Sequence, residues 1–219
     1  RDSSTSRGLG DVYKRQMSRT VCLRCKRPES HCLCALIPAL APRTRVLVLQ
    51  HPSEARHALN TARLAVLGLA GARRLVGEYF RPEQWAEPGW ASHVLFPGEG
   101  AEVLRPGCAA VSGAPVQLIV PDGTWTHARK LLHINPELAA LPRVMLPEGL
   151  TTRYRVRHAD IAGALSTIEA VTHALNALEA PHNFDALLRP FEALIDGQIE
   201  GMGADLYARH HLNRKVPWR

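Results

Sequence analysis

Apolar positions in this chain fall into two kinds of pattern. One kind is the short unbroken run. Arg45–Gln50 reads Arg-Val-Leu-Val-Leu-Gln, and Val116–Val120, apolar except for Gln117, is a second such run. Both have the length of a strand buried on both faces. Weaker runs of the same kind lie at Arg74–Gly77, His93–Phe96 and Arg143–Leu146. The other kind is the stripe at helical spacing. After His51-Pro52-Ser53-Glu54, one stripe holds Ala55, Ala58, Leu59, Ala62, Ala65 and Val66, and Arg56, Asn60 and Arg63 fall on another face. This predicts a single helix to about Leu67. Thr126–His133 carries Ala128, Leu131 and Leu132 on one face, and Ser166–Leu178 is a clear helix. Phe184, Leu187, Leu188, Phe191, Leu194 and Ile195 repeat at the same spacing, with Pro190 kinking that segment or opening a second helix. Strands alternating with helices predict an α/β domain, a mostly parallel sheet with helices on both faces. There is no internal repeat and no G-x-G-x-x-G or P-loop motif, so a dinucleotide or nucleoside triphosphate site of the usual kind is not expected.

The 219 residues suffice for one such domain and a small accessory module. Arg1–Gln16 is polar and aperiodic, and Met17-Ser18-Arg19 reads as the natural start. The first sixteen residues are therefore set aside as foreign to the fold. They carry two of the seven formal net positive charges. The remainder, about +5, stays basic and suits a polyanionic partner. No apolar run approaches the ~20 residues that cross a bilayer. Arg24, Lys26 and Arg27 interrupt any secretory leader after Met17. No membrane association is expected, and the expected location is the cytoplasm.

Cys22, Cys25, Cys32 and Cys34 fall within thirteen residues as C-x2-C-x6-C-x-C. Four thiolates so close suit a tetrahedral Zn²⁺ at about 2.3 Å from each sulfur. Two disulfides are the competing arrangement, disfavoured in the cytosol. An iron–sulfur site, or His31 in place of one thiol, are further alternatives. With all four ligands supplied the site is closed and structural. The expected division is residues 1–16 as leader, 17–42 as zinc module and linker, 43–203 as the main domain and 204–219 as a basic tail. Cys108 stands apart and is expected to be an ordinary buried thiol.

The second apolar run ends in Asp122-Gly123-Thr124-Trp125. Ligands of open α/β sheets lie beyond the carboxyl ends of the strands, which is where this turn falls. His51 and Glu54 follow the first strand, and Leu95-Phe96-Pro97-Gly98 follows a third. Ordinary local chemistry accounts for part of each. Asp-Gly makes a turn, Pro52 and Glu54 start a helix, and Ser166 with Glu169 forms a capping box. Thr167 has no such explanation, and a helix N-terminus also offers N–H groups to a carboxylate. Arg153, Arg155 and Arg157 alternate around Tyr154, so an extended strand would aim all three to one side. That face suits phosphates, or protects a sheet edge. Arg209, Arg214, Lys215 and Trp218 make the tail compatible with RNA contact.

Taken together and in order, these motifs resemble the DTW-domain family, and within it bacterial tRNA-uridine aminocarboxypropyltransferases. The signature D-x-T-W is Asp122, Thr124 and Trp125. The cysteine cluster followed by Arg27-Pro28, His51-Pro52-x-Glu54, Asn60-Thr61, Leu95–Gly98, Leu141-Pro142-Arg143, Tyr154 with Arg157, and Ser166–Ala170 extend the match from Cys22 to about Gly203. The resemblance implies a SPOUT-like fold with a knotted S-adenosylmethionine site. It implies transfer of the donor's 3-amino-3-carboxypropyl group to N3 of a tRNA uridine, releasing methylthioadenosine. On that footing Asp122, Thr124 and Trp125 are the catalytic candidates. Asp122 is the base, or instead holds the donor's ammonium. Leu95, Phe96, Pro97, Gly98, Asp122, Gly123, Ser166, Thr167 and Glu169 are the donor-binding candidates. His51, Glu54, Asn60, Arg153, Arg155 and Arg157 are the RNA-binding candidates, and the four cysteines hold Zn²⁺. The rivals are a SPOUT-like RNA methyltransferase and a non-catalytic, zinc-stabilised RNA-binding protein.

Overall fold

The computed structural model describes residues 20–108, 113–156 and 163–209. Its frame is a six-stranded sheet: β1 (Arg45–Gln50), β2 (Arg73–Val76), β3 (Ala91–Leu95), β4 (Glu102–Val103), β5 (Val116–Asp122) and β6 (Arg143–Met145). The strand order is β2-β1-β5-β3-β6-β4, and every pairing is parallel. The helices are α1 (Pro52–Ala55), α2 (Ala62–Gly68), α3 (Pro82–Trp85), α4 (Trp125–Ile134), α5 (Pro136–Ala139), α6 (Thr167–Leu178), α7 (Arg189–Met202) and α8 (Ala204–Tyr207). None is long and apolar enough, among the described residues, to cross a membrane.

The unbroken apolar runs of β1 and β5 are explained by two cores. Val46, Val48, Leu118 and Val120 face one, with α2, α6 and α7. Leu47, Leu49 and Ile119 face the other, with α4 and Trp85. Successive side chains of a strand point to opposite faces, so a strand covered on both is apolar on both; the exception in β5, Gln117, is buried and donates to Trp85 O at 2.7 Å. Cys25, Leu33 and Ile37 belong to the first core, so the cysteine segment shares its packing with the sheet. Cys108 is only half-buried against it.

Two expectations need correction. The single helix to Leu67 is split into α1 and α2. Asn60 causes the break: its Nδ2 donates to Glu54 O at 2.9 Å, and its Oδ1 accepts from Arg63 N at 3.1 Å. The side chain thus replaces the backbone partner that a continuous helix would use. Residues 151–156 form no strand; Arg155 and Val156 lie in a turn. Here the backbone of Arg153 donates to Glu169 Oε1 at 2.6 Å instead of to a neighbouring strand. Pro190 opens α7 at its first turn rather than kinking a longer helix.

Glu179, at the end of α6, is 4% exposed and accepts from Thr44 N at 2.7 Å and Arg43 N at 3.0 Å. It therefore ties α6 to the entrance of β1. Glu179→Ala orphans two backbone donors and is expected to cost about 2–3 kcal/mol. Urea unfolding checks this, and an unchanged midpoint contradicts it.

Candidate functional site

β1 leads outward to β2, and the chain then crosses to β3 on the other side of β5. The carboxyl ends of β1, β5 and β3 are thus where a ligand crevice is expected. In the parallel register Gln50 stands beside Asp122. Gln50, fully buried, donates through Nε2 to Asp122 Oδ2 at 2.6 Å. The Thr167 hydroxyl donates to the other carboxylate oxygen. Arg74 donates to Gln50 Oε1, so the amide has one orientation and its NH2 group must face the acid. Burial pulls the Arg74 guanidinium below its usual range, nearby Arg63 adds to this, and the charge of Asp122 opposes it. Asp122 is 8% exposed.

The turn after Asp122 requires glycine. A Cβ on Gly123 would lie 2.9 Å from His127 Cβ and 3.4 Å from His51 Cβ. Those two imidazoles stack, with ring centroids 3.8 Å apart and planes at 6°. Thr124 caps α4 by accepting from His127 N at 3.2 Å. Trp125 leans on Phe96, centroid to centroid 5.5 Å.

Two cavities meet at this turn. A polar chamber of about 330 Å³ is walled by Glu54, Asn60, Asp122, Arg129, Ser166 and Thr167, among others. A more apolar cavity of about 680 Å³ is walled by Leu95, Phe96, Pro97, Met145, Leu146 and Leu150, among others. Gly123, Trp125, Leu165 and Thr167 border both. An extended molecule with an apolar ring system at one end and charges at the other fits such a pair of spaces.

The cysteine cluster lies elsewhere. Cys22 Sγ and Cys34 Sγ are 3.6 Å apart, Cys25 Sγ and Cys32 Sγ 3.8 Å, and all four sulfurs lie within 4.8 Å of one another. A tetrahedron with bonds of about 2.3 Å has edges of about 3.8 Å, so the four fit one metal ion. The loop is built for this: Lys26 N donates to Cys22 O at 2.8 Å, with Lys26 at φ 59°. The backbone N–H groups of Cys25 and then Arg24 hold the Cys22 thiol down to about 6. Burial and the neighbouring sulfurs push Cys34 up to about 12. A divalent cation lets all four ionise together.

The sequence pattern of the DTW domain matches residues 19–199. The chain belongs to the DTW domain family. Three relatives carry the name tRNA-uridine aminocarboxypropyltransferase 2. The mouse protein (Mus musculus) is 30% identical over 210 residues, covering 91% of this chain and 70% of its own length. The Macaca fascicularis protein is 29% identical over 204 residues, covering 89% and 68%. The Drosophila melanogaster protein is 28% identical over 219 residues, covering 91% and 84%. No solved structure gives a significant match.

In this DTW domain, Asp122, Gly123, Thr124, Trp125, Ser166 and Thr167 gather with Glu54 and Asn60 around the polar chamber. Leu95, Phe96 and Pro97 line the apolar one. Other expected residues stand apart. Gly98 borders neither cavity; a Cβ there would meet Arg143 Nη1 at 2.8 Å. Glu169 is 1% exposed and spends its oxygens on Ser166, Thr152 and Arg153 N, so it shapes the wall from behind. His51 lies across Gly123 from the chamber. Its Nδ1 accepts from Ser53 N at 3.2 Å, and its Nε2 donates to Glu78 Oε1 at 2.7 Å. Lys130, and then His51, holds the Glu78 carboxyl below its usual range. Arg153 and Arg155 pair with Glu192 and Asp196 on α7 instead of lining the site. Arg157 lies outside the described residues. Gln50, Arg74 and Arg129 were not singled out from sequence. The signal for Gln50 was a polar side chain ending an apolar strand.

Proposed function

We propose that this DTW protein moves the 3-amino-3-carboxypropyl group of S-adenosylmethionine to N3 of a tRNA uridine. The observation that carries this reading is a buried carboxylate on the wall of the polar cavity, next to Gly123 and hydrogen-bonded to Thr167, two residues that also border the apolar cavity. The names of the relatives support it. When bound, the donor supplies a carbon activated by a sulfonium: the N3–C bond forms, the C–S bond breaks with its electron pair going to sulfur, and methylthioadenosine leaves.

The residues divide the work by their chemistry. Leu95, Phe96 and Pro97 take the apolar thioadenosine end. Phe96 and Trp125 wall the passage between the spaces. Asp122 and Glu54 draw the donor's positive charge, and Arg129 its carboxylate. Gln50 and Thr167 hold one oxygen of Asp122 each, which fixes the carboxylate on the chamber wall. Asp122 is also the carboxylate in reach of the proton lost from N3. Positioning one carbon in line with N3, while turning the methyl of the same sulfur away, contributes about 7–11 kcal/mol in well-oriented systems. Proton transfer to a placed base adds about 10²–10⁴ in rate.

Uridine N3 is engaged inside a duplex, so the target lies in a loop or turns out of the stack. The polar chamber is the space for it, with Asn60 and Thr61 on its wall. A tRNA substrate supports the cytoplasm as the place of the reaction. The parallel sheet with its site at the strand ends supports the SPOUT-like reading, and the sulfur tetrahedron supports a structural Zn²⁺. Incubation with tRNA and S-adenosylmethionine tests the reaction: methylthioadenosine is released only when both are present. No release with folded protein and an unmodified tRNA pool refutes it.

A further inference from the structure

The Arg27-Pro28 pair belongs to neither the metal cluster nor the cavities. Its side chain nevertheless joins them. The Arg27 fork places Nε on His31 O at 3.2 Å, within the cysteine segment, and Nη1 on Ala58 O at 2.9 Å, within the loop between α1 and α2. The backbone of Arg27 is itself part of the metal loop, its carbonyl accepting from Cys22 N at 2.8 Å. The next carbonyl of the α1–α2 loop, Leu59 O, accepts from Tyr154 OH at 2.8 Å. Tyr154 is buried and set edge-on against Phe191, 5.3 Å between centroids, so its hydroxyl is delivered from the rigid side of the domain. Leu59, Asn60 and Thr61 then form a wall of the polar chamber.

Two successive carbonyls are thus held by two side chains anchored in different parts of the fold. That loop is where the expected helix broke, and its own hydrogen bonds are all short-range. Asn60 N donates to His57 O at 3.1 Å, and Leu59 N to His57 Nδ1 at 3.2 Å. A planar guanidinium bridges two carbonyls in fixed geometry, which a lysine ammonium does not.

We infer that Arg27 and Tyr154 are positioning residues for the nucleotide side of the site, and that through Arg27 the cysteine segment sets the shape of the polar chamber as well as stabilising the fold. The inference rests on reading that chamber as the place of the uridine. The donor's nucleoside end lies in the other cavity, and its charged end meets this chamber at Asp122, Glu54 and Arg129 rather than at Leu59–Thr61, so the two substrates should respond differently.

The experiment uses the full chain with Arg27→Ala, Arg27→Lys and Tyr154→Phe. Amide hydrogen exchange over residues 56–61 is measured without substrates, and KM for tRNA and the Kd for S-adenosylmethionine are measured with them. Expected are faster exchange at Leu59 and Asn60 in all three variants, and KM for tRNA raised about tenfold in the Arg27 variants and about fivefold in Tyr154→Phe, the sizes of one lost hydrogen bond from a charged and from a neutral donor. The Kd for S-adenosylmethionine stays within about twofold of wild type, a difference too small to reflect a lost hydrogen bond. Tyr154→Phe removes only a hydroxyl, so it reads the loop even where the Arg27 variants lose stability. Unchanged exchange over 56–61 in both Arg27→Ala and Tyr154→Phe, or a wild-type KM for tRNA in both, overturns the inference. A wild-type protein that transfers nothing removes the proposed reaction instead, while the exchange data still decide whether the loop is held.

Discussion

Asp122→Asn folds as the wild type does and loses transfer by about 10²–10⁴-fold under single-turnover conditions. The fold survives because Asn can satisfy the same partners. Its Oδ1 accepts from Gln50 Nε2, and its NH2 donates to Thr167 Oγ, a hydroxyl that can rotate to accept. What is lost is the negative charge on the wall of the polar cavity, and with it both the pull on a cationic donor and the acceptor for the N3 proton. Near-wild-type transfer with an unchanged thermal transition would remove Asp122 from the chemistry. A variant that unfolds would show instead that the Gln50–Asp122–Thr167 chain is a structural lock. Gln50→Ala separates the two cases, because it frees one oxygen of Asp122 while keeping the charge.

The second large effect belongs to the cysteine cluster. Cys22→Ser is expected to lower bound metal from about one ion per chain to near none, since a closed tetrahedral site needs all four thiolates. Cys25, Leu33 and Ile37 are packed into the core beneath α2 and α6, so the loss extends beyond the loop. A destabilisation on the order of 4 kcal/mol corresponds to a fall in Tm of about 8–16 °C for a domain of this size. Metal analysis of the purified variant, paired with thermal unfolding, reads both. Undiminished metal content would refute ligation by the four sulfurs.

Legibility in the sequence followed the range of the forces involved. β1, β5, α4 and α6 were visible because unbroken apolar runs and helical stripes are local patterns, and both were buried as those patterns require. The turn at Asp122 was visible for the same reason: it ends the strongest strand. The network behind it was not. Arg74 and Thr167 reach Gln50 and Asp122 across 24 and 45 residues of sequence, and only the strand order brings them together. The arginines at 153 and 155 misled because an alternating pattern predicts a strand only where a neighbouring strand exists to pair with it. Here Glu169 captures the backbone, and acids on α7 take the guanidiniums. Asn60 likewise looked like one polar residue on a helix, and became the residue that interrupts it.

The central claim is that Asp122 sits where the propyl carbon of a sulfonium donor meets N3 of a uridine. Nucleoside mass spectrometry of tRNA treated with the protein and S-adenosylmethionine tests it most directly. The account predicts a uridine carrying the aminocarboxypropyl group at N3, with methylthioadenosine in equal amount. A methylated uridine with S-adenosylhomocysteine as the other product would contradict it.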